Sequence, residues 1–236
     1  MNRDHLYLRL AVDLAILTVR DGVLNVLAIE RAKPPFQDQA ALPGGFLREG
    51  EDLVQAAWRE LREETALDGE TLHLEQLGIF GAPDRDPRGR VVSVAYLALA
   101  PNLPVPTAGS DASAAQWRPV ADVTGCLAFD HDEILAVALE RARSRLEFTT
   151  LATAFCDKEF TMGDLREVYQ VVWGEPVDPR NFSRKVLNTE GFVEPSGGRR
   201  AQDTGRPAAL YRRGPAARLN PPILRHGTDR SSLPTP

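Results

Sequence analysis

Cysteine is nearly absent from this chain of 236 residues, which holds only Cys126 and Cys156. Two thiols so far apart exclude a disulfide framework and a metal knuckle, and they suit a reducing compartment. Long apolar runs are missing as well. No stretch approaches the roughly 18 residues that a membrane span requires, so no membrane partner is expected. The N-terminus, MNRDHLYLRL, lacks the continuous apolar core and small-residue cleavage site of a secretory signal, which makes a cytoplasmic location the expectation. Aromatic residues are sparse at 7%, yet 43% hydrophobic and 26% charged residues are ordinary for a globular protein. The length suits one large domain or two small ones.

The net charge of −5 conceals an asymmetry. Residues 147–236 carry 13 Lys and Arg against 11 Asp and Glu, so the acidic excess lies in residues 1–146. Within 180–218 there are nine basic residues and three acidic ones. An acidic front and a basic patch behind it suggest two tasks on one chain.

The densest pattern is Gly45 to Leu67, GFLREGEDLVQAAWRELREETAL. Glu51 and Arg59 follow the glycine, and then Glu60, Leu61, Glu63 and Glu64. At about 100° per residue, Glu60 and Glu64 stand one above the other with Glu63 beside them. Val54, Ala57, Trp58 and Leu61 form an apolar face expected to be buried. Like charges so close repel unless neutralised, and a hard divalent cation with oxygen ligands and a phosphate would do so. Taken alone, the three acids would equally suit a solvated helix face.

Before this segment, Leu10–Val19 and Val23–Glu30 read as strands joined at Asp21-Gly22, a hairpin signal. Lys33-Pro34-Pro35 breaks the pattern, and Gly44-Gly45 lets backbone approach a ligand closely, or simply makes a tight turn. After it, Leu72–Phe80 and Val91–Leu99 read as strands around APDRDPRGR. There Arg85, Arg88 and Arg90 offer guanidinium forks suited to a diphosphate, although a solvated loop would share that composition. Gln116–Val120 is a short strand. Asp130 with Glu133 has capping-box spacing ahead of a helix to about Leu146, in which His131 is expected to serve structure.

From Glu147 the pattern changes to short helices. Thr149–Cys156, Thr161–Trp173 and Pro179–Thr189 are expected helical, the last with Asp178 as its cap and Pro179 at its first position. That third helix is expected to bury Phe182, Val186 and Leu187. Its polar sides present Arg180, Asn181, Ser183, Arg184, Lys185 and Asn188. Short strands at Phe192-Val193 and Ala208–Tyr211 bracket SGGRRAQDTGRP, which brings Arg199, Arg200 and Arg206. Helix, turn, helix and basic hairpin is the order of a winged helix-turn-helix, which lays a helix in the major groove and a wing along the phosphates. A small protein-interaction domain would share this order. Residues 214–236 contain five prolines and are expected to be a disordered tail, with Arg218, Arg225 and Arg230 adding nonspecific phosphate contacts.

The acidic segment resembles the Nudix box, G-x5-E-x7-R-E-U-x-E-E-x-G-U, departing from it only at Ala66. That resemblance implies an α/β/α Nudix sandwich over 1–146, followed by a winged helix-turn-helix over 147–213 and the tail over 214–236. It implies that Glu60, Glu63 and Glu64 are catalytic and hold Mg²⁺ or Mn²⁺ with a carbonyl at Gly45, Gly44 lying beside the ligand. Pro83, sixteen residues past Leu67, resembles the mark of ADP-ribose users and would join Arg85, Arg88 and Arg90 in ligand binding. The fusion as a whole is similar to the Nudix-related transcriptional regulators of NAD metabolism (the NrtR family). ALPGGF, DRDPRGRVVSVAY, FDHDEIL, NFSRKVL and GRPAALYRR are its more particular phrases. The resemblance implies a homodimeric, ADP-ribose-responsive repressor of NAD genes on double-stranded operator DNA, possessing residual ADP-ribose pyrophosphatase activity. It leaves open a magnesium-dependent pyrophosphatase with a C-terminal protein-interaction module, and a sensor that binds ADP-ribose without turning it over.

Overall fold

Eight consecutive residues of the first strand, Ala11 to Thr18, are buried. A strand reads that way only where both faces of its sheet are covered. The structure, a computed structural model, describes residues 7–65, 73–99, 112–201 and 206–225. It divides into two compact units, Met1–Glu140 and Arg141–Pro236.

In the first unit, β1 (Arg9–Arg20) and β2 (Val23–Arg31) form the expected hairpin, with Asp21 and Gly22 at φ of 49° and 71°. Next come β3 (Ala40–Ala41), β4 (Gly44–Phe46), helix α1 (Leu53–Thr65), β5 (His73–Phe80), β6 (Val91–Leu99) and β7 (Ala112–Pro119). A one-turn α2 (Val120–Val123) then precedes α3 (His131–Phe148). The strands make a seven-stranded mixed sheet with path β3-β2-β1-β6-β5, where β4 joins β1 and β7 joins β2. β1 and β6 run parallel at its centre. Ala56, Ala57 and Leu61 of α1 pack with Val12, Leu14, Ile16 and Tyr96 in one apolar cluster, while α3 buries Ile134, Leu135 and Ala138.

The second unit opens with a 3-10 turn, Thr150–Phe155, capped by Thr149. After β8 (Phe160–Thr161), α4 (Met162–Trp173) starts with a capping box between Thr161 and Asp164 and stops at Gly174, whose φ is 74°. Helix α5 (Pro179–Asn188) is capped by the Asp178 side chain. Tyr169 meets Trp173 and Phe182 edge-on at 4.8 and 5.0 Å, locking the two helices together. β9 (Val193–Arg200) and β10 (Ala208–Arg213) form the wing, and with β8 they make a three-stranded sheet. The wing strands are longer than the sequence suggested because they pair with each other across most of the basic segment.

Three expectations need correction. Leu187 is 54% exposed rather than buried, because the helix already fills the core with Phe182 and Val186. The boundary expected after Leu146 falls instead inside α3, after Glu140. The tail expected from residue 214 is ordered through residue 225, and only its residues 226–236, with Arg230, lie outside the described residues. It is a strap. Leu219 N–H donates to the Phe148 carbonyl (2.8 Å), Ile223 N–H to the Glu147 carbonyl (3.0 Å) and Ala216 N–H to the Gly191 carbonyl (2.9 Å). Leu219 and Ile223 are 5% and 3% exposed. The buried Glu147 carboxylate accepts both the backbone N–H (3.0 Å) and the side-chain Nε (3.2 Å) of Arg225, so that arginine is committed within the fold rather than to phosphate. At the root of the strap, a Cβ on Gly214 would lie 2.2 Å from the Gly191 carbonyl oxygen, so only glycine permits the crossing.

Leu219→Ala should therefore cost about 2–5 kcal/mol in urea denaturation, as for other buried leucines. A disordered tail would leave stability unchanged.

Candidate functional site

Helix α1 begins at a reciprocal cap. Asp52 Oδ1 accepts from Gln55 N–H (2.8 Å), and Gln55 Oε1 accepts from Asp52 N–H (2.9 Å). Its buried face differs from the expected one. Val54 is 50% exposed and Ala56 lies in the core, because the helix is rolled so that Glu60, 8% exposed, faces inward. The Glu60 carboxylate lies against β4, where a Cβ on Gly45 would come within 2.1 Å of its Oε1. Glycine here keeps the carboxylate and the backbone in contact. Burial raises the Glu60 pKa above the ordinary carboxylate value, despite the hydrogen bond it accepts from Arg59.

Arg59 is the brace of the loop before the helix. Its Nε and Nη2 fork onto Glu51 at 2.7 and 3.0 Å, and Nη2 also reaches the Phe46 carbonyl at 3.3 Å. Glu63 is more exposed and pairs with Arg48 at 3.1 Å and with Arg59 at 3.6 Å. Glu64 belongs to α1, but its side chain lies outside the described residues, as do Ala66 and Leu67. Among the described residues no three His, Cys, Asp or Glu side chains form a metal-holding group. What is present fits a hard divalent cation: a desolvated Glu60 carboxylate, a second carboxylate on Glu63, and bare backbone at Gly45.

Beside Gly44 and Gly45 opens a cleft of about 220 Å³. Arg31, Lys33, Phe46, Arg88 and Phe129 line it, with Asp13, Arg85 and His131 in its wall. The Arg31 guanidinium lies 4.6 Å from the centre of the Phe129 ring, and Arg88 lies 5.4 Å from both Phe46 and Phe129. Phe36 meets Phe129 edge-on at 4.7 Å. Flat apolar faces interleaved with guanidinium groups suit a base, a ribose and phosphates. Nothing in the sequence marked Arg31, Phe46 or Phe129 as members of this cleft, since they come from three separate segments. Phe129 even adopts a φ of 59° to enter it.

The arginine loop divides in its roles. Arg85, expected to bind the ligand, is buried, with Nε and Nη2 forked onto Asp130 at 2.7 and 2.6 Å and Nη2 also on Asp13 at 3.0 Å. Its charge is consumed by two carboxylates, so it braces the wall of the cleft instead. Burial opposes that charge, but the two aspartates outweigh it and raise the Arg85 pKa. Arg90 donates to the carbonyls of Gly81 (2.7 Å) and Ala82 (3.1 Å), which shapes the loop. Pro83 sits exposed in a turn outside the cleft. Arg88, held by Asp86 at 2.7 Å, is the arginine of this loop that faces the aromatic rings. The expected capping box at Asp130 is absent, because Arg85 takes its carboxylate and Glu133 N–H bonds to the Asp130 carbonyl instead. His131 is buried, its Nδ1 accepting from Leu42 N–H at 2.9 Å with Nε2 toward Asp13 at 3.5 Å. Burial lowers its pKa against the pull of Asp13, keeping the ring neutral and structural.

In the second unit, Arg180, Arg184 and Asn188 lie exposed on α5, and Arg184 is steadied by Asn181 at 2.8 Å. Ser183 is half-buried and bonds back to the Pro179 carbonyl at 2.8 Å. Lys185 is exposed on the flank that also holds Asn181 and faces the strap. Arg199 and Arg206 are exposed on the wing. Arg200 is already bonded to Asp164 at 2.7 Å and to the Glu159 carbonyl at 3.2 Å, which ties the wing to α4.

A mixed sandwich bearing a Nudix helix, joined to a winged helix, defines a two-part class of protein. Residues 8–140 match the NUDIX domain family, and residues 152–213 match the NrtR DNA-binding winged helix domain. The chain is 32% identical over 206 residues to the ADPR responsive transcriptional repressor NtrR of Acinetobacter baylyi, covering 86% of this chain and 81% of that one. Shewanella oneidensis NrtR, solved in complex with a 27mer DNA, is 32% identical with a TM-score of 0.78, covering 91% of this chain and 99% of that chain. The NUDIX domain of the same protein, solved with ADP ribose, is 36% identical with a TM-score of 0.54, covering 60% and 93%. The chain belongs to the NrtR family of Nudix-related transcriptional regulators.

The clamp on Glu51 has a pH consequence. Hydrogen bonds from Arg59 lower its pKa from 4.5 to about 2. A carboxylate whose pKa falls on folding stabilises the fold above its unfolded value and loses that contribution as pH drops toward the folded one. Glu51→Gln should thus melt below the unmodified protein at pH 6. The gap should narrow as the pH of the melts is lowered from about 4.5 toward 2.

Proposed function

We propose that this chain is an ADP-ribose-responsive transcriptional repressor, acting in the cytoplasm as a homodimer on the operators of NAD synthesis or salvage genes. The observation that carries the reading is the aromatic and cationic cleft beside Glu60 and Gly45, in one chain with a winged helix that exposes Arg180 and Arg184. An adenine or ribose face suits Phe46 and Phe129, and a diphosphate suits Arg88, leaving the phosphates close to the carboxylates of α1. The relatives solved with ADP ribose and with DNA support the same two ligands here.

Ligand and DNA must be linked through two conformations of the protein. The Arg85 fork on Asp130 ties the cleft wall to the first turn of α3. An anionic ligand drawn to Arg88 shifts that wall and, through Arg85, changes its hold on Asp130. The conformation so favoured mismatches the two winged helices of the dimer with the spacing of an operator palindrome. ADP-ribose should weaken binding to the gene's own upstream duplex by about 5- to 150-fold in a gel-shift titration. Asp130→Asn should keep both ligands but lose most of that coupling. Operator binding indifferent to millimolar ADP-ribose would sink the reading.

Magnesium or manganese, held by Glu60, Glu63, Glu64 and the Gly45 carbonyl, would supply positive charge to the diphosphate. Glu63, as a further ligand or water-orienting group, would then face the attacking water. Slow cleavage of ADP-ribose to AMP and ribose 5-phosphate would reset the signal. AMP release with Mg²⁺ should be measurable and should fall sharply in Glu64→Gln. Equal release from both proteins would refute the assignment.

A further inference from the structure

Helix α5 carries an apolar side chain on the face where polar ones are expected. Phe182 and Val186 fill the core at 2% and 0% exposure. Roughly opposite them, at about 100° per residue, Arg180, Arg184 and Leu187 fall on one stripe. Leu187 is 54% exposed there, with arginines at the start and middle of the stripe and Ser183 and Asn188 on its flanks. Solitary surface leucines are common and by themselves say nothing. This one stands apart because of its neighbours: the Arg184 side chain is drawn toward Asn181 by a 2.8 Å hydrogen bond, away from the leucine, which stays uncovered one turn beyond the charges.

Those charges decide which partner fits. Two guanidinium groups leading along one stripe to an apolar tip are complementary to a polyanion that itself presents a small apolar feature. The major groove of duplex DNA presents one, the C5-methyl group of thymine. We propose that Leu187 is a specificity-determining residue that packs on a thymine methyl, while Arg180 and Arg184 meet phosphates or guanine edges beside it. The assignment rests on the DNA-binding reading given above. Leucine has no hydrogen-bonding group, so this contact separates thymine from cytosine and uracil by the methyl alone. It adds nothing at an adenine or guanine.

The test uses the full chain. Duplexes are enriched by binding from a random library, and the winning sequence is resynthesised with deoxyuridine replacing each thymine in turn, which removes only the methyl. Affinities are read by fluorescence anisotropy at one fixed salt concentration. With the unmodified protein, deoxyuridine at one thymine of each half-site should weaken binding about fourfold, the value of one buried methyl. Leu187→Ala, with an unchanged melting temperature, should bind the thymine and uracil duplexes equally. Two results would overturn the assignment: no thymine in the site sensitive to the exchange, or full sensitivity persisting in Leu187→Ala. Failure to enrich any duplex overturns the DNA-binding reading and this assignment with it.

Discussion

Arg85 is the constraint on which the first unit depends. It places one positive charge between Asp13 of β1 and Asp130 ahead of α3, at 3.0 and 2.6 Å from their carboxylates. Removing one member of such a buried set typically costs about 3–5 kcal/mol, because an uncompensated charge remains behind. With Arg85 in place, the His131 ring can stay neutral and accept the Leu42 N–H, which fixes the chain just ahead of Gly44. Gly45 in turn lies against Glu60, and Glu60 sets the roll of α1. The placement of α1 thus traces back to one guanidinium bonded to Asp13 and Asp130 and not to that helix. The family pattern names Glu60 as important, and the packing explains why it can be held so deep.

Much of this was legible in the sequence, for reasons that are local. The hairpin at Asp21-Gly22 and the cap at Asp178 with Pro179 behind it depend on a few adjacent residues, and each appears where the sequence puts it. The helix spanning the Nudix box was equally plain. What could not be read is what distant segments do to one another. A periodic pattern identified an apolar side of α1 but not its roll, since nothing local says that Glu60 will be buried against β4. Arg85, Arg88 and Arg90 look alike in a loop, and only the third dimension assigns one to Asp13 and Asp130, one to the aromatic cleft and one to backbone carbonyls. Leu187 misled for a similar reason: an aliphatic residue beside Val186 reads as core until the core proves full.

The two halves of the chain use arginine in opposite ways. In the first unit the guanidinium groups are mostly spent internally, on Glu51, Asp86, Asp13 and Asp130. Those bonds order loops that lack regular structure of their own, and they leave Arg31 and Arg88 lying over aromatic rings. In the second unit Arg180 and Arg184 on α5 and Arg199 on the wing stand exposed, while Arg200 and Arg212 are paired with Asp164 and Glu194. Composition records only the count. Function follows from which of them have already been neutralised by the fold.

The strap has a bearing on where a DNA-binding module ends. The family match stops at residue 213, where the wing closes, yet the polypeptide turns back through the Gly191–Gly214 crossing and lays Leu219 and Ile223 beneath the helices. A fragment cut at the end of the motif would keep α5 and the wing and lose part of the floor on which they stand. The limits of the motif and the limits of folding are therefore different positions in this chain, separated by a dozen residues.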